Sequence, residues 1–260
     1  MSGENFLALD GVSISFGGIQ AVDELDVDVR EGEIFSVIGP NGAGKTTIFN
    51  MISGFYKPDK GVIRFGGKNL VQHKPHEIAA LGIGRTFQNL ELFAKMSVLE
   101  NLLIAEHLFT KTHFWGEIFG TPRVRGEERR IASEAMEILR FLDLEKTASS
   151  PISEFPYPVQ KRVELARALA LRPRLLLLDE PAGGLNRVET SELALIIRRI
   201  RDERKLTIIL VEHDMSMVMR ISDRIAVLDH GRKIAEGSPE AIRENQLVIE
   251  AYLGKGELDA

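Results

Sequence analysis

Apolar residues recur in two patterns along this chain, and the change between them predicts where strand gives way to helix. Leu175–Leu178 is a continuous apolar run, and Leu206–Val211 is a second, interrupted by Thr207. Short runs that stay apolar at successive positions suit parallel strands buried on both faces. Between them, Leu193, Ile196, Ile197 and Ile200 recur at helical spacing in a segment from about Arg187 to Lys205. Glu189 and Glu192 lie in its first turns, and Arg201, Arg204 and Lys205 at its end, which complements a helix dipole. Strand, helix and strand in this order predict a βαβ unit.

The pattern changes twice along the sequence. Residues 1–88 read as strands and turns around one glycine-rich loop. Residues 89–158 read as mainly helical, with Ile131, Ala135, Ile138, Leu139 and Leu142 at helical spacing. Residues 159–260 lead back into strand, helix and strand. The expected organisation is an α/β core, 1–88 with 159–260, carrying a helical insert at 89–158. The segment Phe109–Phe119 holds Phe109, Phe114, Trp115 and Phe119 among polar residues. Aromatic enrichment of that kind suits either a partner surface or ordinary packing within the insert.

Composition narrows the class. At roughly 150 residues per domain, 260 residues make one large domain or a domain with an insert. A chain that long buries a core without disulfide or metal staples. Lys and Arg total 33 against 38 Asp and Glu, a net charge of −5, which argues against a general affinity for nucleic acid. Arg123, Arg125, Arg129 and Arg130 interleave with Glu127 and Glu128 and read as a solvated face. The absence of cysteine removes disulfides, thiol nucleophiles and Cys-ligated metals. No stretch approaches the ~18–20 apolar residues of a membrane span. The opening MSGENFLALDG lacks a basic region followed by an apolar run. The expected location is the cytoplasm, with any span supplied by another chain.

The strongest chemical signal is Gly39-Pro40-Asn41-Gly42-Ala43-Gly44-Lys45-Thr46, which fits G-x-x-x-x-G-K-[ST]. At average glycine usage, chance yields such a match in roughly one chain in a hundred of this length. Its context fits too, because Glu33–Ile38 reads as a strand and Thr47–Ile52 as the first turns of a helix. Glycines let the backbone wrap phosphate oxygens, so that successive N–H groups and the helix start face negative charge. The candidate nucleotide-binding set is Gly39 through Thr47. In it, Lys45 reaches the β- and γ-phosphates of ATP and the Thr46 hydroxyl binds Mg²⁺. Asp179 and Glu180 close the run Leu175–Leu178, where a carboxylate at a buried strand end points into the crevice that binds ligands. Asp179 fits a partner of hydrated Mg²⁺, and Glu180 a general base for an attacking water.

Further landmarks follow in a fixed order: Phe16-Gly17-Gly18, Arg85-Thr86-Phe87-Gln88, Gln160–Leu169, Pro181–Asn186 and Val211-Glu212-His213-Asp214-Met215. With this order the sequence resembles the nucleotide-binding subunits of ABC transporters over essentially its whole length. The tail, Gly231–Gly237 with Val248–Gly254, is similar to the branched-chain amino acid uptake subgroup. The resemblance implies a P-loop NTPase core of ABC ATPase type, with an antiparallel β subdomain and an inserted helical subdomain. It implies that Phe16 stacks on adenine, that Gln88 senses Mg²⁺ and the attacking water, and that His213 contacts the γ-phosphate. Asn186 replaces the Asp often found at the end of the loop after Glu180.

The implied activity is ATP hydrolysis that powers an importer of branched-chain or related amino acids. The implied partners are membrane permease subunits, a second ATPase subunit and, indirectly, an external solute-binding protein, with the chain on the cytoplasmic face of the membrane. Two other readings use the same loop: a soluble ABC-type ATPase acting on nucleic acid or ribosomes, and a regulatory module that binds nucleotide without hydrolysis. One nucleotide site, no long heptad segment and negative charge weigh against the first. Glu180 and His213 weigh against the second.

One stretch departs from the family. Where it carries Leu-Ser-Gly-Gly-Gln, this chain has Phe155-Pro156-Tyr157-Pro158-Val159. In the family the serine hydroxyl and glycine amides there bind the γ-phosphate held by the opposite subunit. Pro156 offers no hydroxyl and Pro158 no N–H, yet proline suits the first turn of a helix. The expectation is an intact fold and an asymmetric heterodimer with a different ATPase subunit, with a homodimer as the alternative.

Overall fold

A computed structural model describes residues 6–88, 90–106 and 122–253. The chain divides into two compact units, residues 1–85 with 174–260, and residues 86–173.

The first unit is built on two sheets. Strands β1 (Leu7–Phe16), β2 (Ile19–Val29), β4 (Lys60–Phe65) and β5 (Lys68–Asn69) form an antiparallel sheet in the order β2-β1-β4-β5. The second sheet adds β3 (Ile34–Ile38), β6 (Ile83–Arg85), β7 (Leu175–Asp179), β8 (Thr207–Val211), β9 (Arg224–Asp229) and β10 (Arg232–Gly237), in the order β10-β9-β3-β8-β7-β6. Pairing is parallel from β9 to β6, and only β10 returns antiparallel on the edge. Every residue of β3, β7 and β8 is buried, as continuous apolar runs require. Phe35, Phe49, Ile52, Leu177 and Ile209 join Leu7, Leu9, Leu25 and Ile63 of the antiparallel sheet in one core cluster.

The expected βαβ unit is present. Its helix runs Arg187–Arg204, starts on an Asn186 cap and stops at Lys205, which takes a left-handed φ of 54°. Thr190, Leu193, Ile196, Ile197 and Ile200 make its buried face. Helix α1 (Lys45–Ile52) follows β3 through the glycine loop, and the short helix α2 (Pro75–Ala80) precedes β6.

The second unit is helical: α3 (Val98–Glu106), α4 (Pro122–Phe141) and α5 (Tyr157–Ala170) pack on one another. Ile131, Ala135, Ile138, Leu139 and Leu142 are all buried there, as their spacing predicts. Helix α5 packs with α3 and α4, in the unit that runs from 86 to 173. Pro156 caps its start in extended conformation and Pro158 lies in the first turn, so the proline stretch does begin a helix. The aromatic stretch Phe109–Phe119 with Trp115, and the side chains of Arg123 and Arg125, lie outside the described residues.

Candidate active site

The glycine loop joins the end of β3 to the start of α1, and its geometry depends on positive φ at Gly39, Gly42 and Gly44. At Gly39 an added Cβ would sit 2.2 Å from the Leu228 carbonyl oxygen, and at Gly44 it would sit 2.5 Å from that of Ala21. Around Gly42 the space is open. The loop therefore packs tightly on β2 and β9 while one glycine faces free space. Lys45 is almost fully buried, and its Nζ donates to the carbonyls of Gly39 (2.7 Å) and Pro40 (2.9 Å). Its ammonium is held over the loop that the phosphate tail would occupy.

A cavity of about 200 Å³ opens here, lined by Ala21, by Asn41 through Thr47, and by Glu180 and His213. The chain thus brings four of its sequence-predicted elements to one place: the loop, the hydroxyl of Thr46, the acid after β7 and the histidine after β8. His213 Nε2 lies 2.7 Å from Glu180 Oε1. An ionised carboxylate only accepts, so this contact assigns the hydrogen to Nε2. Glu180 takes a left-handed φ of 47°, sparsely populated for a residue with a side chain. Its N–H donates to the Val211 carbonyl at 2.9 Å, which ties it to the end of β8.

Asp179 is the last residue of β7, at 2% exposure. Its Oδ2 accepts from Arg85 Nη2 at 2.9 Å. Burial pushes the Asp179 carboxyl above the usual carboxylate range, Arg85 and Lys45 pull it down, and Glu180 adds to the rise. Among the described residues no cluster of three or more His, Asp or Glu side chains forms a metal cage. A donor set of one carboxylate, a hydroxyl and a phosphate cradle suits Mg²⁺, which keeps waters and is held through substrate phosphates. The donor set therefore fits Mg-ATP.

Phe16 is not among the residues lining this cavity. Phe16, half exposed, meets Tyr56 edge-on with ring centroids 5.1 Å apart. Gln88 belongs to the second unit, where its backbone carbonyl accepts from Lys161 Nζ at 3.4 Å. Sequence reasoning missed Arg85 and Glu212 as individual site residues. Burial pushes the Tyr252 phenol up to about 12, against the pull of a hydrogen bond from the Gly39 backbone. Tyr252 also lines an apolar cavity of about 580 Å³ with Met215, Met219 and Ile242.

A parallel sheet whose strand enters a glycine loop and helix, beside a second strand ending in Asp-Glu, defines a P-loop nucleoside triphosphatase. Residues 22–183 match the ABC transporter family, and residues 232–257 match the branched-chain amino acid ATP-binding cassette transporter family. The chain belongs to the ABC transporter family and carries its ATP-binding cassette. It is 45% identical over 249 residues to the high-affinity branched-chain amino acid transport ATP-binding protein BraF of Pseudomonas aeruginosa, covering 96% of this chain and 98% of that one. A solved ATP-binding cassette of an ABC transporter in its ADP conformation is 29% identical, with a TM-score of 0.85 over 97% of this chain and 100% of that one. A dimeric cassette in a post-hydrolysis state, bound to ADP and Pi, is 25% identical with a TM-score of 0.73, covering 90% and 98%.

Proposed function

We propose that this chain is the ATP-hydrolysing subunit of a membrane importer for branched-chain or related amino acids. The observation that carries the chemistry is the Glu180–His213 pair, 2.7 Å apart in the cavity that the Lys45 and Thr46 loop lines. The relatives named as branched-chain amino acid transport proteins support the cargo.

Lys45 and the loop N–H groups bind the phosphate tail, and Phe16 stacks on the adenine. Thr46, Asp179 and, on the family resemblance, Gln88 would hold Mg²⁺, which when bound would neutralise charge developing on the β- and γ-phosphate oxygens. Glu180 accepts the proton of the attacking water as its oxygen bonds to the γ-phosphorus and the bond to ADP breaks. His213 fixes the Glu180 carboxylate through Nε2 and faces the γ-phosphate. The chain works on the cytoplasmic face of the membrane with permease subunits, a second ATPase subunit and, indirectly, an external solute-binding protein. Pro156 and Pro158 favour a different chain as that second ATPase, because they withhold a hydroxyl and an N–H from a neighbouring nucleotide. The dimeric relative supports assembly in pairs.

The test is phosphate release by the assembled transporter with Glu180→Gln in this chain. A general base contributes about 10²–10⁴-fold, so this chain's site should lose turnover by that factor while still binding ATP. Wild-type hydrolysis in the variant would falsify the assignment.

A further inference from the structure

Glu212 follows directly on β8, and its side chain turns inward to 3% exposure. One carboxylate oxygen, Oε1, accepts the Ala182 backbone N–H at 2.7 Å. The other, Oε2, accepts the His213 N–H at 2.9 Å and the Asp214 N–H at 3.3 Å. Ala182 stands two residues after Glu180, and His213 directly follows Glu212. A single buried carboxylate therefore bridges the two backbone segments that carry the Glu180–His213 pair.

We infer that Glu212 is a positioning residue for ATP hydrolysis, holding these two segments in the register at which Glu180 Oε1 and His213 Nε2 meet. The inference rests on the roles proposed above for that pair. Geometry explains why the residue is an acid. Three N–H donors converge on it from two directions, and only a carboxylate presents an acceptor to both. A glutamine turns its amide nitrogen toward one of the two segments, where donor faces donor. A residue that served packing alone needs neither the two oxygens nor the charge. Burial raises the Glu212 carboxyl above its ordinary range, the three N–H groups oppose that rise, and nearby Glu180 adds to it.

Glu212→Gln and Glu212→Asp, the latter keeping the charge but shortening the reach, separate positioning from packing. The first readout is independent of turnover. In the ¹⁵N-labelled full chain, with the His213 resonance assigned by its loss in His213→Ala, the wild-type imidazole should show a single Nε2–H tautomer. Both Glu212 variants should show tautomer averaging. The second readout is ATP hydrolysis by the assembled transporter, where kcat should fall about 10–100-fold while KM for Mg-ATP stays within about twofold. In a His213→Ala background, Glu212→Gln should cause no further loss. An unchanged imidazole signature in a folded variant overturns the inference, as does an unchanged kcat or a loss that multiplies with that of His213→Ala. If neither variant folds, Glu212 is a determinant of the fold alone and the inference also fails. If the wild-type assembly does not hydrolyse ATP, the functional reading falls, and the imidazole signature still decides what Glu212 holds.

Discussion

Arg85 and Asp179 pair across two adjacent parallel strands, with Nη2 and Oδ2 2.9 Å apart and side chains only 8% and 3% exposed. The same guanidinium donates through Nη1 to Asn50 Oδ1 at 2.8 Å, and it faces the rings of Phe49 and Phe55 at 5.6 and 5.9 Å. The candidate Mg²⁺ ligand is thus oriented by a residue on the strand that leads toward Gln88. Taking away one partner of a buried pair typically costs about 3–5 kcal/mol, because the other charge is left desolvated. Arg85→Met should lose stability of that order in urea unfolding at neutral pH, and adding Asp179→Asn should restore most of it. A single variant as stable as the wild type would mean that the pair is neutral in the fold.

Asn186 stands where a related chain often has Asp, and its contacts explain why the exchange is tolerated. Its Oδ1 accepts the N–H of Val188 at 2.9 Å and of Glu189 at 3.0 Å, while the Glu189 carboxylate accepts the Asn186 N–H at 2.8 Å. This closes a capping box at the start of the helix Arg187–Arg204. Asn186→Ala should cost ~1 kcal/mol and Asn186→Asp almost nothing, read from denaturant midpoints.

Glu164, in α5, is held by the Phe87 N–H at 3.2 Å and lies 3.8 Å from Lys161 Nζ, with both side chains 3% exposed. Burial pushes its carboxyl above 4.5, and Lys161, Phe87 and Arg167 only partly offset this. The folded state therefore holds the Glu164 proton more tightly than the unfolded chain. Between 4.5 and the raised folded value, the unfolded state binds fewer protons, so this group's contribution to stability falls as pH rises. Glu164→Gln removes that slope. Its stability relative to the wild type should improve from pH 5 to pH 7.5 in paired urea titrations, even if Lys161 makes it less stable throughout.

Pro156 caps α5 without any side-chain hydrogen bond. Pro156→Ser with Pro158→Gly adds a hydroxyl to the cap and restores an N–H in the first turn. In an assembly with a different ATPase subunit, the double change should raise phosphate release from the partner's nucleotide, leaving the rate at this chain's own phosphate loop unchanged. Single-turnover hydrolysis with the partner's site alone intact measures this. No acceleration would remove the basis for the proposed asymmetry.

What could be read from sequence divides along physical lines. Strands β7 and β8 and the helix between them announce themselves, because burial on both faces or on one face fixes the spacing of apolar residues. The phosphate loop is legible because its glycines are required by backbone geometry at Gly39 and Gly44. Arg85 appears in the sequence as part of a recognisable stretch, but its partner Asp179 is 94 residues away. Only the register of β6 on β7 joins them. The assignment of α5 to the helical unit was hidden for the same reason, since Val163, Ala166 and Ala170 show that a face is buried without showing against what. Glu212 did leave a signal, an acid directly after five buried residues of β8. Its three N–H partners appear only once the chain has folded.

The left-handed backbone of Glu180 has one more consequence. A side chain in that region costs about 1–2 kcal/mol, which glycine avoids at the expense of a smaller loss in unfolded-state entropy. Heat tolerance and turnover therefore favour different residues at a single position. A breeding programme that rewarded thermal endurance alone would drift toward glycine there, and would arrive at a robust transporter subunit that grips its fuel and burns it only at a small fraction of the native rate.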